Sequence, residues 1–353
     1  MPHRTFIYFI LPSLLSMILL IAVPIFSAMT QSLFIAHKQV IIVSETFDPF
    51  GCKKETSVDA EATANLRVKE PLGIFNGFET YTNRNHLAAA EIKTSWNVAT
   101  GWKDFFSRIM NLPFYKALAF TITYTIVVTP FVIVLGFLIA LGTNSLASWL
   151  KGPTIFFSLL PMIVTPLIGS LILFWMIDAD GIIGSTLQRI FNDNDLSLKA
   201  SPALTWIMLI VYGIWHSTPF AFIVFYAGLQ TVPHETLEAS MLDGASLWQQ
   251  KRHVVIPYLM PLIIFVTLIQ LMDNFRVFEP IVGFNASANA TSLSWIIFND
   301  LRGEDALQLF GSAAATSMLT IIGVVSYTHL TLPTILRVLL MIVTGRPLEI
   351  SRK

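Results

Sequence analysis

From Thr5 to Ala36 the chain carries no charged residue, and none stands between Lys116 and Lys151. A helix of roughly 20 apolar residues crosses the hydrocarbon core of a bilayer, so either run is long enough to do so. In that core a backbone can satisfy its own polar groups only as a helix or a closed barrel, and uninterrupted apolar runs select the helix. Charged residues make up 12% of the chain and apolar ones 54%, whereas soluble domains carry about 25% charge. The fold class is therefore an all-α polytopic membrane protein.

Further apolar stretches at 154–177, 203–229 and 258–281, and one beginning near Leu307, bring the expected spans to six. Pro12 and Pro24 kink the first, Pro161 and Pro166 interrupt the third, and Pro261 kinks the fifth; neighbouring helices re-satisfy the carbonyls that proline frees. A tight turn over 147–153 separates the second span from the third. The first run is too long for the apolar part of a signal peptide and lacks a small-x-small cleavage site, so it is expected to stay as an anchor. Residues 37–113 regain charge and turn residues, which predicts a large external insert between the first two spans. Residues 327–334 break the last apolar run with polar side chains and Pro333. Six spans put both termini on one side, and the short-loop basic residues Arg4, Lys151, Lys251, Arg252, Arg346, Arg352 and Lys353 mark that side as cytoplasmic.

One charged island, between the fourth and fifth spans, is too structured to be a connector. Pro233 suits the first position of a helix, and Glu235 and Glu238 then lie near its positive dipole end. Gly244 can take the left-handed conformation that ends a helix, and Ser246-Leu247-Trp248-Gln249 has the spacing of a capping box that starts another. The prediction is helix, glycine corner, helix. Leu237, Met241 and Leu242 share one face, to be covered either by the protein's own spans or by a partner.

Glu238-Ala239-Ser240, Asp243-Gly244-Ala245, Arg252 and Val254-Val255-Ile256-Pro257 together resemble the signature loop of the membrane subunits of binding-protein-dependent ABC importers. The Asp243-Gly244-Ala245-Ser246 variant with Trp248-Gln249 is most similar to the carbohydrate branch, the maltose-permease-like and glycerol-phosphate-permease-like proteins. Ser240 replaces the second alanine, and Val254 and Ile256 replace the usual Ile and Leu. The resemblance extends loosely over residues 114–320 and implies the six-helix type I importer permease fold in a bacterial inner membrane. The division it implies is 1–36 as cytoplasmic N-terminus and first span, 37–113 as periplasmic insert, 114–345 as a five-helix core with a cytoplasmic coupling loop at 233–257, and 346–353 as cytoplasmic tail. It further implies two ATPase subunits that bind ATP and Mg, a second homologous permease, a periplasmic solute-binding protein and the surrounding lipid as partners. Glu238 would pair with a basic residue of the ATPase, Gly244 would fix the corner and Arg252 would brace the loop.

Candidates for a solute path come from polar groups set in apolar spans. Tyr124 is the best of the hydroxyls at 121–125, the threonines being more apt to bond their own backbone. Trp215 lies mid-span, beyond the reach of an aromatic belt, and would either face a sugar ring or pack in the core. Gln270, Asp273 and Asn274 end the fifth span beside Arg276 and Glu279; ionisable groups at membrane depth face a cavity or each other, so Asp273 either lines the path or pairs with Arg276.

Several chemistries are excluded or unsupported. There is no Gly-x-x-x-x-Gly-Lys-Ser/Thr stretch to cradle ATP phosphates, no Gly-x-Ser-x-Gly elbow and no His-Glu-x-x-His helix. No cofactor is expected in the chain itself, and it is read as a transport subunit rather than an enzyme. Cys52 is the sole cysteine, which rules out an intramolecular disulfide. His216 has no partner at metal-ligand spacing. Equal counts of 22 basic and 22 acidic residues leave no nucleic-acid footprint. An importer of another solute, an ion-coupled secondary transporter and a membrane-embedded enzyme are the alternatives.

Overall fold

A computed structural model describes residues 2–37, 40–48, 51–192, 197, 199, 202–302 and 309–326. The described chain forms two compact units, one from residues 1–116 with 296–321 and the other from 117–295 with 322–326. The polar break at 327–334 and the tail at 346–353 lie outside the described residues.

The first unit begins with α1 (Phe6–Gln31), whose apolar side chains are exposed along its length, as a helix solvated by lipid requires. Two antiparallel two-stranded sheets follow. β1 (Phe34–Ile35) meets a later strand, and β2 (Ile41–Asp48) pairs with β3 (Gly51–Val58) in a register that sets Ile41 against Val58 and Asp48 against Gly51. The helix α2 (Ala60–Lys69) starts where the Asp59 carboxylate accepts from the Ala62 amide at 2.9 Å. The strand β4 (Ile74–Phe75) then closes on β1. Residues 75–81 are anchored on the end of the first span: the Asn76 and Gly77 amides both donate to the Leu33 carbonyl, and the Tyr81 and Ser32 hydroxyls lie 2.6 Å apart. Among the described residues, strands occur only between Phe34 and Phe75, so the long apolar segments beyond them are helical.

The insert continues with α3 (Ala89–Val98) and α4 (Trp102–Met110). His86 is fully buried, with Nδ1 2.7 Å from the Asn83 side-chain oxygen and Nε2 3.1 Å from the Ser312 carbonyl. The Ser312 hydroxyl donates to Asp300 at 2.6 Å, while burial raises that carboxyl above its ordinary range.

The second span is α5 (Pro113–Ser145), which places Phe120, Tyr124, Val128 and Val132 at four-residue spacing in the core of the second unit. The third span is not one kinked helix. α6 (Ser148–Ile163) and α7 (Pro166–Met176) meet at 93°. Pro166 can donate no amide hydrogen to the preceding turn, and Thr165 before it is extended, at φ −60° and ψ 144°. The expected turn at 147–153 is also helical, because Pro153 lies in the second turn of α6 and forfeits a single bond.

A surface helix α8 (Ile182–Phe191) leads to the fourth span, α9 (Pro202–Leu229). Between them the Lys199 ammonium pairs with Asp178, holding that carboxyl below its ordinary range, and sits 3.4 Å over the Phe174 ring. The island forms α10 (His234–Leu242) and then α11 (Leu247–Phe275), a continuous apolar helix that includes a wide turn at Lys251–Val255. The fifth span therefore stops at Phe275, short of the expected residue 281. Arg276 has left helical geometry at φ −97° and ψ 21°, and a short α12 (Glu279–Gly283) starts afresh with Pro280 in its first turn.

The helix α9 packs on α6 and α11, and α12 packs on α7. α13 (Leu293–Arg302) and α14 (Phe310–Ser326) complete the described chain, the latter a shorter apolar helix at the expected sixth span.

Buried polar groups pin the second unit where backbone is irregular. The Ser292 hydroxyl donates to the Val277 carbonyl at 2.6 Å and accepts from the Trp295 amide at 3.1 Å; the neighbouring Leu293 amide donates to Thr121 Oγ1 at 3.2 Å. Ser292→Ala strands both a buried carbonyl and an amide, so it is expected to cost about 1–3 kcal/mol. Thermal unfolding of the detergent-solubilised chain would show the lowered midpoint.

Candidate functional site

Two features of the second unit carry chemistry: the exposed island and a cavity among the spans.

In the island, Pro233 precedes the helix as its N-cap, with the first helical residue at His234. At the other end the Ala245 amide donates to the Ser240 carbonyl and the Gly244 amide to Met241, both at 3.0 Å. This pair of bonds reaching back around a left-handed residue closes the helix, and Gly244 has the required φ of +78°. Ser246 then caps α11: its hydroxyl accepts from the Gln249 amide while the Gln249 side chain accepts from the Ser246 amide at 2.7 Å. The buried Gln250 donates to the Ala245 carbonyl at 3.2 Å, holding the corner from below.

The island presents a mixed surface. Leu237 packs against the core, but Met241, Leu242, Leu247 and Trp248 are exposed, Leu242 at 89%. Glu238, Ala239 and Asp243 are exposed beside them, and Ser240 and Ala245 are half-buried. Arg252 is half-buried in the wide turn, with no hydrogen bond or ion pair among the described residues, and Pro257 is exposed on the first turn above it.

The cavity, of about 470 Å³, is lined by Tyr124 of α5, Pro166 of α7, Tyr212, Gly213, His216 and Ser217 of α9, Asp273 and Asn274 at the end of α11, and residues 276, 277, 279 and 280. Asn274 is buried and donates to Thr129 Oγ1 at 3.0 Å. Asp273 accepts from Arg276 Nη2 at 2.9 Å, so it both lines the cavity and pairs with its neighbour. Glu279 is exposed to the cavity and has no ion-pair partner among the described residues.

The walls are held by the broken third span. Tyr212 donates to the Pro166 carbonyl at 2.7 Å, and His216 Nε2 lies 3.1 Å from the Val164 carbonyl. A carbonyl can only accept, so His216 carries its hydrogen on Nε2. The two rings stack with centroids 5.7 Å apart. Gly213 permits the Tyr124 ring to lie against α9, since an added Cβ would stand 2.0 Å from its hydroxyl.

Of the predicted path residues, Tyr124, Asp273 and Asn274 meet in the cavity. Trp215 does not; it is 48% exposed on another face of α9, because the cavity takes residues 212, 213, 216 and 217 from a helix with 3.6 residues per turn. Gln270 is not in the lining either: it is buried one turn below Asn274, its Nε2 3.5 Å from the Ser217 carbonyl and its Oε1 without a partner among the described residues. Tyr212, His216 and Ser217, none of them predicted as a path residue, also line the cavity. The i, i+4 pairing of Tyr212 with His216 opposite Pro161 and Pro166 is the signal that was there to be found.

Residues 106–332, well over half of the chain, match the family model for the binding-protein-dependent transport system inner membrane component. The arabinooligosaccharides transport system permease protein of Halalkalibacterium halodurans is 29% identical over 244 residues, covering 64% of this chain and 72% of that protein. The multiple sugar-binding transport system permease protein of Streptococcus mutans is 30% identical over 60% of this chain and 73% of its own length. The match to the trehalose/maltose transport system permease protein of Thermococcus litoralis, 28% identical over 40% of this chain, spans only about half of that relative, 48%. A solved bacterial ABC transporter involved in the import of the acidic polysaccharide alginate superposes with a TM-score of 0.54 at 20% identity, covering 76% of this chain and 94% of the other.

If His216 is there to satisfy the broken span, His216→Leu should lower stability by about 1 kcal/mol, the cost of a part-buried carbonyl left without its protein donor. His216→Gln, which keeps a donor, should recover most of it. Thermal unfolding of the two variants in nanodiscs measures the difference.

Proposed function

This chain belongs to the family of binding-protein-dependent transport system inner membrane components, and from that premise we propose that it is the permease subunit of a bacterial ABC importer for a sugar or sugar derivative. Its fold is the permease fold of the alginate transporter, and it is a multi-pass inner-membrane protein. The sugar follows from the names of the relatives, which are permeases for arabinooligosaccharides, for multiple sugars and for trehalose and maltose.

The observation that carries the reading is the island. Met241, Leu242, Leu247 and Trp248 stand exposed around a corner that Gly244 and two capping motifs hold in one shape. A rigid element with an uncovered apolar face is what a docking partner needs. The partner is an ATPase subunit. Two of them bind ATP and Mg, so hydrolysis resides outside this chain, which is not itself an enzyme. Glu238, Ala239, Ser240, Asp243, Gly244 and Ala245 form the contact, with Arg252 and Pro257 at its base. Glu238 meets a basic residue of the ATPase.

A second homologous permease and a periplasmic solute-binding protein complete the assembly. The loop at 233–257 and both termini are then cytoplasmic, and residues 37–113 are periplasmic. The solute passes Tyr124, Asp273 and Asn274, with Gln270 one turn deeper; Trp215 faces away from this route. ATP-driven closure of the ATPases draws the coupling loops together and opens the spans to the loaded binding protein.

Gly244→Asp tests the coupling assignment cleanly. An added Cβ meets no atom within 4 Å, so the substitution costs only the strain of φ +78°, about 1–3 kcal/mol, and leaves the spans intact. The tagged chain, extracted gently from a host expressing its partners, should recover an ATPase whose yield falls in Glu238→Ala and Gly244→Asp at unchanged membrane levels. Undiminished recovery in both variants would sink the assignment.

A further inference from the structure

The hairpin of α3 and α4 carries an aromatic cluster left largely uncovered among the described residues. The Trp96 ring meets Trp102 at 5.5 Å and Phe105 at 5.2 Å, both edge to face, and Trp102 lies 6.3 Å from Phe106. Edge-to-face pairs of this kind attract beyond the area they bury. The cluster is nevertheless open to the outside: Trp96 is 58% exposed, Trp102 67% and Phe106 53%. On α4 the apolar positions 102, 105, 106, 109 and 110 form one stripe, and Lys103, Asp104, Ser107 and Arg108 form the other face. The polar face is fixed as well. Arg108 Nε donates to Asp104 at 3.0 Å, and that bond holds the Asp104 carboxyl below its ordinary range.

Chain continuity says what lies beside this stripe. α4 ends at Met110 and α5 begins at Pro113, and α5 is free of charge from Ala117 onward. The seven residue steps from Met110 to Ala117 correspond to a rise of about 10 Å at helical spacing, close to the depth of the headgroup region that flanks the hydrocarbon core. A strongly amphipathic helix at that level, with Trp and Phe on one face and Lys and Arg on the other, has the composition of an interfacial helix. We propose that the α3–α4 hairpin is a lipid-binding element, with Trp96, Trp102, Phe106 and Met110 seated at the boundary between headgroups and acyl chains. Lys103 and Arg108 remain on the water side. The binding needs no other protein and does not depend on which solute is carried.

The test uses the full chain in nanodiscs of phosphatidylethanolamine and phosphatidylglycerol, with no partner present. Cys52 is the sole cysteine, so Cys52→Ser gives a background in which Phe106→Cys, Met110→Cys or Ser107→Cys can be labelled singly with a polarity-sensitive fluorophore. Labels at 106 and 110 should be quenched by lipid spin-labelled high on the acyl chain, and several-fold less than the label at 107 by aqueous iodide. Met110→Cys keeps the test sound if Phe106→Cys disturbs the cluster. Equal iodide quenching at 106, 110 and 107, with none by the labelled lipid, would overturn the proposal. So would shielding of 106 and 110 that appears only when a solute-binding protein is added, which would make the surface a protein interface.

Discussion

A membrane-spanning chain can break a helix only where something else in the fold meets the backbone groups that the break sets free. Here the break between α6 and α7 is met by α9: His216 donates to the Val164 carbonyl and Tyr212 to that of Pro166. Much of the second unit follows from this pair of bonds. They set which face of α9 turns toward the third span, and that face, with Gly213 and Ser217, becomes a wall of the cavity. Tyr124 can lie against the same wall because Gly213 has no side chain. α12 then packs against α7, on the far side of the bend.

The cavity has a mixed electrostatic character. Asp273 and Arg276 pair with one another across 2.9 Å, which leaves Glu279 as the acidic residue of the lining without an ion pair among the described residues. Tyrosine hydroxyls, an imidazole, a serine and an amide supply the rest of its polarity. Such a lining offers many weak, orientable hydrogen bonds and few strong ones.

What could be read from residues alone was local. Charge-free runs located the spans because the hydrocarbon core tolerates little else, and the corner at Gly244 was legible because its two caps are made within a few residues of it. The break of the third span was not. Pro161 and Pro166 are compatible with a kink or with a 93° turn, and the choice rests on donors that lie 46 and 52 residues away on another helix. Trp215 misled for a related reason: a ring in mid-span marks depth, whereas lining a cavity depends on helical phase, and 215 is out of phase with 212 and 216. The anchoring of residues 75–81 onto residues 32–34 is likewise a long-range pairing with no local signature.

The helix α11 joins the exposed corner to the cavity without interruption, from Leu247 to Phe275. Its 29 residues make a rod of about 43 Å. Trp248 and the capping box are at one end, and Asp273 and Asn274 are at the other. A rod of this kind transmits tilt and rotation directly, so a push on the corner reaches the cavity wall with no intervening joint except the wide turn at 251–255. It also makes length itself a functional quantity. One residue gained or lost between the two ends would turn Asp273 by about 100° relative to the corner, taking it out of the cavity while leaving every local contact of the island in place.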